Sequence, residues 1–191
     1  MKTSRILTIG TASALLLVAA PAAAMAADVV RSGDYTVAAG TIIRGDLVVT
    51  GGTVTIHGHV TGNVRQSGSG GVVVGTRGEV DGSVVESGSG GVRVIGEVDG
   101  HVSEHDSGGV YIERSGEVDG NVTERDGNSL HIHGSVDGTA RESGTGNLAV
   151  FRTGEVDRDV IERDGGSLIL YRGAEIEGAV SEGGSGSIVR R

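Results

Sequence analysis

The chain has 191 residues, of which 36 are Gly, 2% are aromatic and none are Cys or Trp, and its formal net charge is −9. So few aromatic side chains exclude an ordinary globular core, and the absence of Cys excludes disulfide bonds. The acidic balance argues against nucleic acid and anionic lipid as partners.

The N-terminal residues 1–27 have the three parts of a secretory signal peptide. Lys2 and Arg5 precede an apolar stretch over 6–20, and Ala24-Met25-Ala26 supplies a cleavage site. We expect cleavage after residue 26 or 27, although the apolar run also approaches the length of an uncleaved membrane anchor. Cleavage removes the charges of Lys2 and Arg5, so the net charge changes from −9 to −11. The prediction is a protein that is secreted or held in the cell envelope outside the cytoplasmic membrane, without direct membrane insertion.

After a short N-terminal cap at 28–34, the predicted domain at 35–191 is built on one repeated phrase. Gly-Glu-Val-Asp-Gly-x-Val begins at Gly78, Gly96, Gly116 and Gly154, with degenerate copies elsewhere. The central apolar residues follow one another at steps of 17–20 residues: Ile43, Val60, Val80, Val98, Val118, Val136, Val156 and Ile176. A period of this size predicts a solenoid, in which each repeat stacks on the preceding one.

Each repeat contains short alternating apolar runs, such as Val92-Arg93-Val94, separated by Gly-rich bends such as 87–91. Alternation with β-branched residues is typical of strands, and Gly, Asn and Ser suit corners that need positive φ. We therefore predict an all-β, single-stranded β-helix of about eight roughly triangular coils. The longer coils insert two residues at one corner, for example Thr76-Arg77, so that the stacked strands keep their register.

Three acidic columns follow from the repeat, in the slots that begin with Glu79, Asp81 and Glu86. One interpretation is a row of Ca²⁺ sites. The other is turn capping together with a solvated negative face. We favour the second, because the Gly-Gly-x-Gly-x-Asp context of repeat Ca²⁺ sites is missing. We expect no cofactor and no stoichiometric Ca²⁺ requirement for folding.

Other candidate chemistry is sparse. His131 and His133 share one face of a strand, but no third ligand recurs with them, so we expect no metal site. No acid–base set or nucleophile arrangement is present either, so the sequence predicts that the protein is not an enzyme.

The rhythm of the repeats, seen in Ile56–Val64 and again in Val118–Val122, resembles that of the bactofilins over about residues 35–182. This resemblance implies a right-handed triangular β-helix of a bacterial, polymer-forming cytoskeletal family that polymerises end to end without nucleotide.

Two functions remain open. The first is an exported structural rod that associates end to end with copies of itself, with cell-envelope components as further candidate partners. The second is a monomeric surface module, an adhesin or a glycan-binding β-helix. Incompletely capped terminal coils expose strand edges and apolar layers that recruit another copy, which favours the first. The predicted assembly contacts are Val30, Tyr35 and Val37 at the N-terminal end and Leu168, Leu170, Ile176, Val180 and Ile188 at the C-terminal end.

Overall fold

The computed structural model describes residues 27–126 and 128–191. Within these ranges all regular secondary structure consists of β-strands. The described residues contain no helix that is long and apolar enough to cross a membrane. The predicted signal peptide lies, apart from its last residue, outside the described residues and stays a prediction.

The strands are short and follow one another at close intervals. In chain order they are β1 (Val29–Ser32), β2 (Tyr35–Val37), β3 (Ile42–Ile43), β4 (Leu47–Thr50), β5 (Val54–Ile56), β6 (His59–Val60), β7 (Val64–Gly68), β8 (Val72–Val74), β9 (Glu79–Val80), β10 (Val84–Gly88), β11 (Val92–Val94), β12 (Glu97–Val98), β13 (Val102–Asp106), β14 (Val110–Ile112), β15 (Glu117–Val118), β16 (Val122–Arg125), β17 (Leu130–Ile132), β18 (Ser135–Val136), β19 (Ala140–Gly144), β20 (Leu148–Val150), β21 (Glu155–Val156), β22 (Val160–Asp164), β23 (Leu168–Leu170), β24 (Glu175–Ile176), β25 (Val180–Glu182) and β26 (Ile188–Arg190).

Every third strand belongs to the same parallel sheet, so one coil of the chain supplies one strand to each of three sheets. Sheet 1 runs from β1 to β25, sheet 2 from β2 to β26 and sheet 3 from β3 to β24. The predicted β-solenoid of about eight coils is therefore confirmed. The segment at Val29–Ser32, expected to act as a cap, pairs with β4 as the first strand of sheet 1.

The interior is a stack of nearly identical layers. A typical coil directs five side chains inward: Val80 from sheet 3, Val84 and Glu86 from sheet 1, and Val92 and Val94 from sheet 2. Their equivalents meet in register in the next coil, as Val80 meets Val98. The predicted inward valine column is confirmed, and it is completely buried from Val60 to Val156.

The corner that ends each long strand of sheet 1 requires an unusual backbone. Gly88 has φ of 148°, and Asp106 in the equivalent position of the next coil has φ of 87°. Asp126 and Asp164 repeat this conformation at 80° and 83°. Gly adopts positive φ without steric cost, and Asp is one of the few other residues that tolerates it. The sequence predicts Gly, Asn and Ser at the corners, whereas the structure uses Gly and Asp here.

The two-residue insertions are absorbed as predicted. Thr76 and Arg77 form a turn between sheets 2 and 3, closed by a hydrogen bond of 2.7 Å from the Gly78 amide to the Gly75 carbonyl. The following strand β9 still pairs in register with β12, which belongs to a shorter coil. The inward valines therefore stay aligned although coil length varies.

Candidate functional site

A column of glutamates lies inside the rod. Glu86, Glu104, Glu124, Glu142 and Glu162 are completely buried and stand on neighbouring strands of sheet 1 in direct register. Gln66 continues the column toward the N-terminus at 2% exposure, and Glu182 continues it toward the C-terminus, partly buried.

The column is held against the Gly-rich bends. The backbone amide of Gly108 donates a hydrogen bond of 2.7 Å to Glu104 Oε1, and the amide of Gly166 donates one of 3.0 Å to Glu162 Oε1. A side chain at Gly108 would collide with the carbonyl of Gly90 and lie 2.7 Å from Glu104 Oε1. Gly is therefore required here by the close approach of two stacked bends and a buried carboxyl group.

Most of the remaining carboxyl oxygens have no hydrogen-bond donor. Among the described residues, the buried side-chain oxygens without a partner all belong to this column, including Oε2 of Glu104, Glu124 and Glu162. A carboxylate can only accept hydrogen bonds, whereas a protonated carboxyl group can donate one to its neighbour. Protons held between successive glutamates would therefore supply donors to oxygens that otherwise lack one.

The pKa values agree with protonated side chains. Burial raises the pKa of Glu86 to about 7 and that of Glu104 to about 8, and neighbouring glutamates add to the increase at Glu104. Burial and the adjacent Glu124 raise the pKa of Glu142 to about 9. The pKa of Glu124 and that of Glu162 are raised as well, mainly by burial. The interior thus favours the neutral form of the column.

This column corrects one sequence expectation. The sequence predicts a solvated negative face for Glu86 and its equivalents. In a strand, residues two positions apart share a face, so Glu86 points inward with Val84. The arginines that adjoin this column, Arg125, Arg141 and Arg163, point outward. The Val-x-Glu spacing already places each glutamate on the same strand face as a buried valine. The sequence prediction missed this burial because a charged side chain is expected to face solvent.

The other two acidic columns are exposed, as the sequence predicted. They occupy the outer face of sheet 3 and begin with Glu79 and Asp81. Slight burial and then the neighbouring carboxylates, Asp99 first, raise the pKa of Glu97. Burial and the adjacent Asp137 and Asp99 raise the pKa of Asp119. This face therefore carries a high density of negative charge.

Aromatic rings form a column outside sheet 2. Tyr111 meets His131 edge-on at a centroid distance of 5.1 Å, and His131 meets Phe151 edge-on at 5.4 Å. Phe151 then stacks on Tyr171 at 4.6 Å and on His133 at 3.8 Å. In the sequence, Tyr and Phe do not recur in every coil, so they predict no full column. The histidines supply the rings that are missing between them. The stacking also gives His131 and His133 a packing role.

The C-terminal end of the rod presents a partly apolar surface. Ile188 is 44% exposed, and Ile176 and Val180 are partly buried. Leu168 and Leu170 lie under the last coil, where Leu168 pairs with Ile188, and both are buried. An open depression of about 570 Å³ at this end is lined by Leu170, Tyr171, Arg172, Gly173, Ala174, Ile176, Val180, Arg190 and Arg191.

The N-terminal end is also partly apolar. Val30 is 65% exposed, Tyr35 is partly buried, and Val37 is buried at 1% exposure. Ile42 is 48% exposed and was not among the predicted assembly residues. Strand alternation provides the missing signal, because Ile43 points inward and its neighbour must then point outward.

A comparison with protein families identifies the repeat. The family model of the bactofilins, described as polymer-forming cytoskeletal proteins, matches residues 85–181, which is about half of the chain. The chain belongs to the bactofilin family. No curated protein and no solved structure shows a significant match.

The bactofilin match agrees with the resemblance in the repeats and covers most of β10 to β25. The coils before it are continuous with it, since β7 pairs with β10 over five residues in the same register. The family is structural and polymer-forming, and it supports self-association as the expected behaviour of the rod.

Proposed function

We propose that this protein is an exported bactofilin rod that associates end to end with copies of itself into a scaffold in the cell envelope or outside the cell. The observation that carries the proposal is the match to a polymer-forming family, together with a rod whose first and last described coils expose both strand edges and apolar side chains.

The geometry of the ends supports association. The outer edges of β1, β2 and β3 at one end and of β24, β25 and β26 at the other lack a strand neighbour among the described residues. Unpaired backbone groups on a strand edge readily pair with another chain. Val30 and Ile188 add exposed apolar area to these edges, which association would remove from water.

The charge distribution supports thin assemblies. The exposed columns on sheet 3 repel a second rod approaching from the side, whereas Arg172, Arg190 and Arg191 lie at the C-terminal end. Salt screens such repulsion over roughly 10 Å at 0.1 M. We expect short oligomers or single filaments at low salt and longer ones at higher salt.

Light scattering and electron microscopy of residues 28–191, across protein and salt concentrations, test the assembly. Ile188→Lys and Val29→Lys should shift the population toward monomers by placing charge on the end surfaces, because these residues continue the inward columns of Leu168 and Leu47. Val85→Lys is the matched control, because Val85 lies partly exposed on sheet 1 several strands away from either end.

Two outcomes would contradict the assembly proposal. One is a monomer at every protein and salt concentration. The other is an assembly that responds equally to end and control substitutions. A strict monomer would favour the alternative of a surface binding module, for which the ring column from Tyr111 to Tyr171 is the candidate surface.

Export requires its own test. Mass spectrometry of the protein from cells and culture medium should find a chain that begins at Ala27 or Asp28, as the Ala24-Met25-Ala26 pattern predicts. Recovery of only the uncleaved chain inside the cell would contradict export without affecting the assembly proposal.

A further inference from the structure

Three potential metal ligands converge on the outer face of sheet 3. His59 Nε2 lies 2.5 Å from Asp81 Oδ1 and 3.9 Å from Glu79 Oε1. One ligand atom from each of the three residues lies within 4.8 Å of the other two. Among the described residues, no other set of three or more His, Asp and Glu side chains brings its ligand atoms this close together.

The sheet itself brings these groups together. His59 stands directly opposite Glu79 on the neighbouring strand, and Asp81 follows two positions after Glu79 on the same outward face. The ligands therefore come from two successive coils, 20 residues apart in the sequence. Spacing along the chain did not reveal them for this reason.

Only one described coil offers an imidazole in this slot. The residues that occupy the position of His59 in the other coils are Ile42, Glu79, Glu97, Glu117, Ser135, Glu155 and Glu175. A nitrogen ligand beside two carboxylates is therefore a local feature and distinct from the general acidity of the face.

The surroundings of the three ligands are open to solvent and mostly acidic, with Arg77 as the cation that lines a depression beside His59. The side chains of His59, Glu79 and Asp81 are 28%, 50% and 38% exposed, so an ion can reach them without unfolding. Glu97 and Asp99 follow on the next strand and add negative charge. Strand pairing on both sides of β9 fixes the backbone of the two carboxylates, which lowers the ordering cost of binding.

We propose that His59, Glu79 and Asp81 form a binding site for a divalent transition-metal ion of the Zn²⁺ class. One imidazole nitrogen and two carboxylate oxygens suit such an ion, whereas Ca²⁺ and Mg²⁺ prefer oxygen ligands alone. Without the ion, the same residues form a His–Asp hydrogen bond.

Isothermal titration of metal-free residues 28–191 with Zn²⁺ tests the site. We expect one Zn²⁺ per chain and little competition from excess Ca²⁺. His59→Asn should weaken binding by at least roughly tenfold, the lower bound for changes that only touch a ligand's surroundings. Glu155→Gln is the matched control, because it removes a carboxylate from the same slot as Glu79 where no histidine is adjacent.

A variant that creates a second site tests the proposal without removing a ligand from the first. Ser135 stands opposite Glu155 as His59 stands opposite Glu79, and Asp157 takes the place of Asp81. Ser135→His should therefore raise the stoichiometry to two Zn²⁺ per chain. Circular dichroism of each variant checks that it remains folded.

Zn²⁺ binding that His59→Asn leaves unchanged, or that Ca²⁺ displaces as well as Zn²⁺ itself, would overturn the proposal and indicate general attraction to the acidic face. Absence of Zn²⁺ binding in the wild-type chain would overturn it as well.

Discussion

Glu86 and Glu104 stand directly opposite each other on adjacent parallel strands, and both side chains are completely buried inside the rod. Two carboxylates so close together and away from water repel strongly, and each loses its hydration. The pKa of Glu86 is raised to about 7 and that of Glu104 to about 8, chiefly by burial, so the pair avoids this repulsion by retaining protons.

The first prediction concerns the dependence of stability on pH. The pKa values of Glu86, Glu104 and Glu142 rise from the ordinary glutamate value of 4.5 to about 7, 8 and 9 in the folded chain. A raised folded-state pKa contributes stability that is complete below the unfolded value and is lost as pH rises through the folded value. We expect the free energy of unfolding to decrease from about pH 5 to pH 9.

Urea unfolding followed by circular dichroism between pH 4 and pH 10 measures this dependence. A stability that rises with pH over this range would contradict protonation of the column.

The second prediction separates the proton from the hydrogen bond at one position of the column. Glu104→Gln keeps an oxygen that can accept from the Gly108 amide and removes the ionisable group. Gln66 already occupies the same column, where its amide donates to the carbonyl oxygens of Gly52 and Ser69. We expect the variant to be at least as stable as wild type at pH 9 and to depend less on pH.

Glu104→Ala is the contrasting change. It leaves the buried Gly108 amide without an acceptor and opens a cavity, so we expect a loss of about 1–3 kcal/mol in unfolding free energy. Equal effects of the Gln and Ala variants at pH 9 would contradict a role of the Glu104 carboxyl oxygen as acceptor.

The third prediction concerns the valine column. Val118 is completely buried between Val98 and Val136 in the middle of the rod. Val118→Asp should reduce the free energy of unfolding by about 3–5 kcal/mol, because the charge has no partner there. Glu117→Gln, on the outward side of the same strand, serves as the control and should change stability by less than about 0.5 kcal/mol. Wild-type melting of the Val118 variant would refute the register.

The fourth prediction concerns the ring column. Phe151 stacks on both His133 and Tyr171, at centroid distances of 3.8 Å and 4.6 Å. Each aromatic pair contributes about 0.5–1.5 kcal/mol beyond its buried area. Phe151→Ala should therefore cost at least about 1 kcal/mol. Thermal unfolding of Phe151→Ala and Phe151→Leu compares loss of the ring with near-conservation of apolar volume. Both variants lose the stacked ring, so a Phe151→Leu variant as stable as wild type would show that stacking contributes nothing specific.

The repeat determined the fold by itself. Residues such as Val80 and Val98 return at 17–20-residue steps with strand alternation around them, and stacking is the arrangement that buries all of them at once. The same spacing and alternation also predicted the two-residue insertion at Thr76-Arg77 and the outward-facing columns of Glu79 and Asp81. Family membership was also visible in the rhythm of Val and Gly.

Other features depended on contacts between coils, which spacing along one coil does not report. His59 meets Glu79 and Asp81 only because the sheet stacks one coil on the next. His131 completes the ring column for the same reason. The burial of Glu86 depends both on alternation within one strand and on the stacking of successive coils. Alternation directs it inward with Val84, but only the stacking of bends such as Gly90 and Gly108 around the carboxyl groups seals the column from water and raises the pKa of its members.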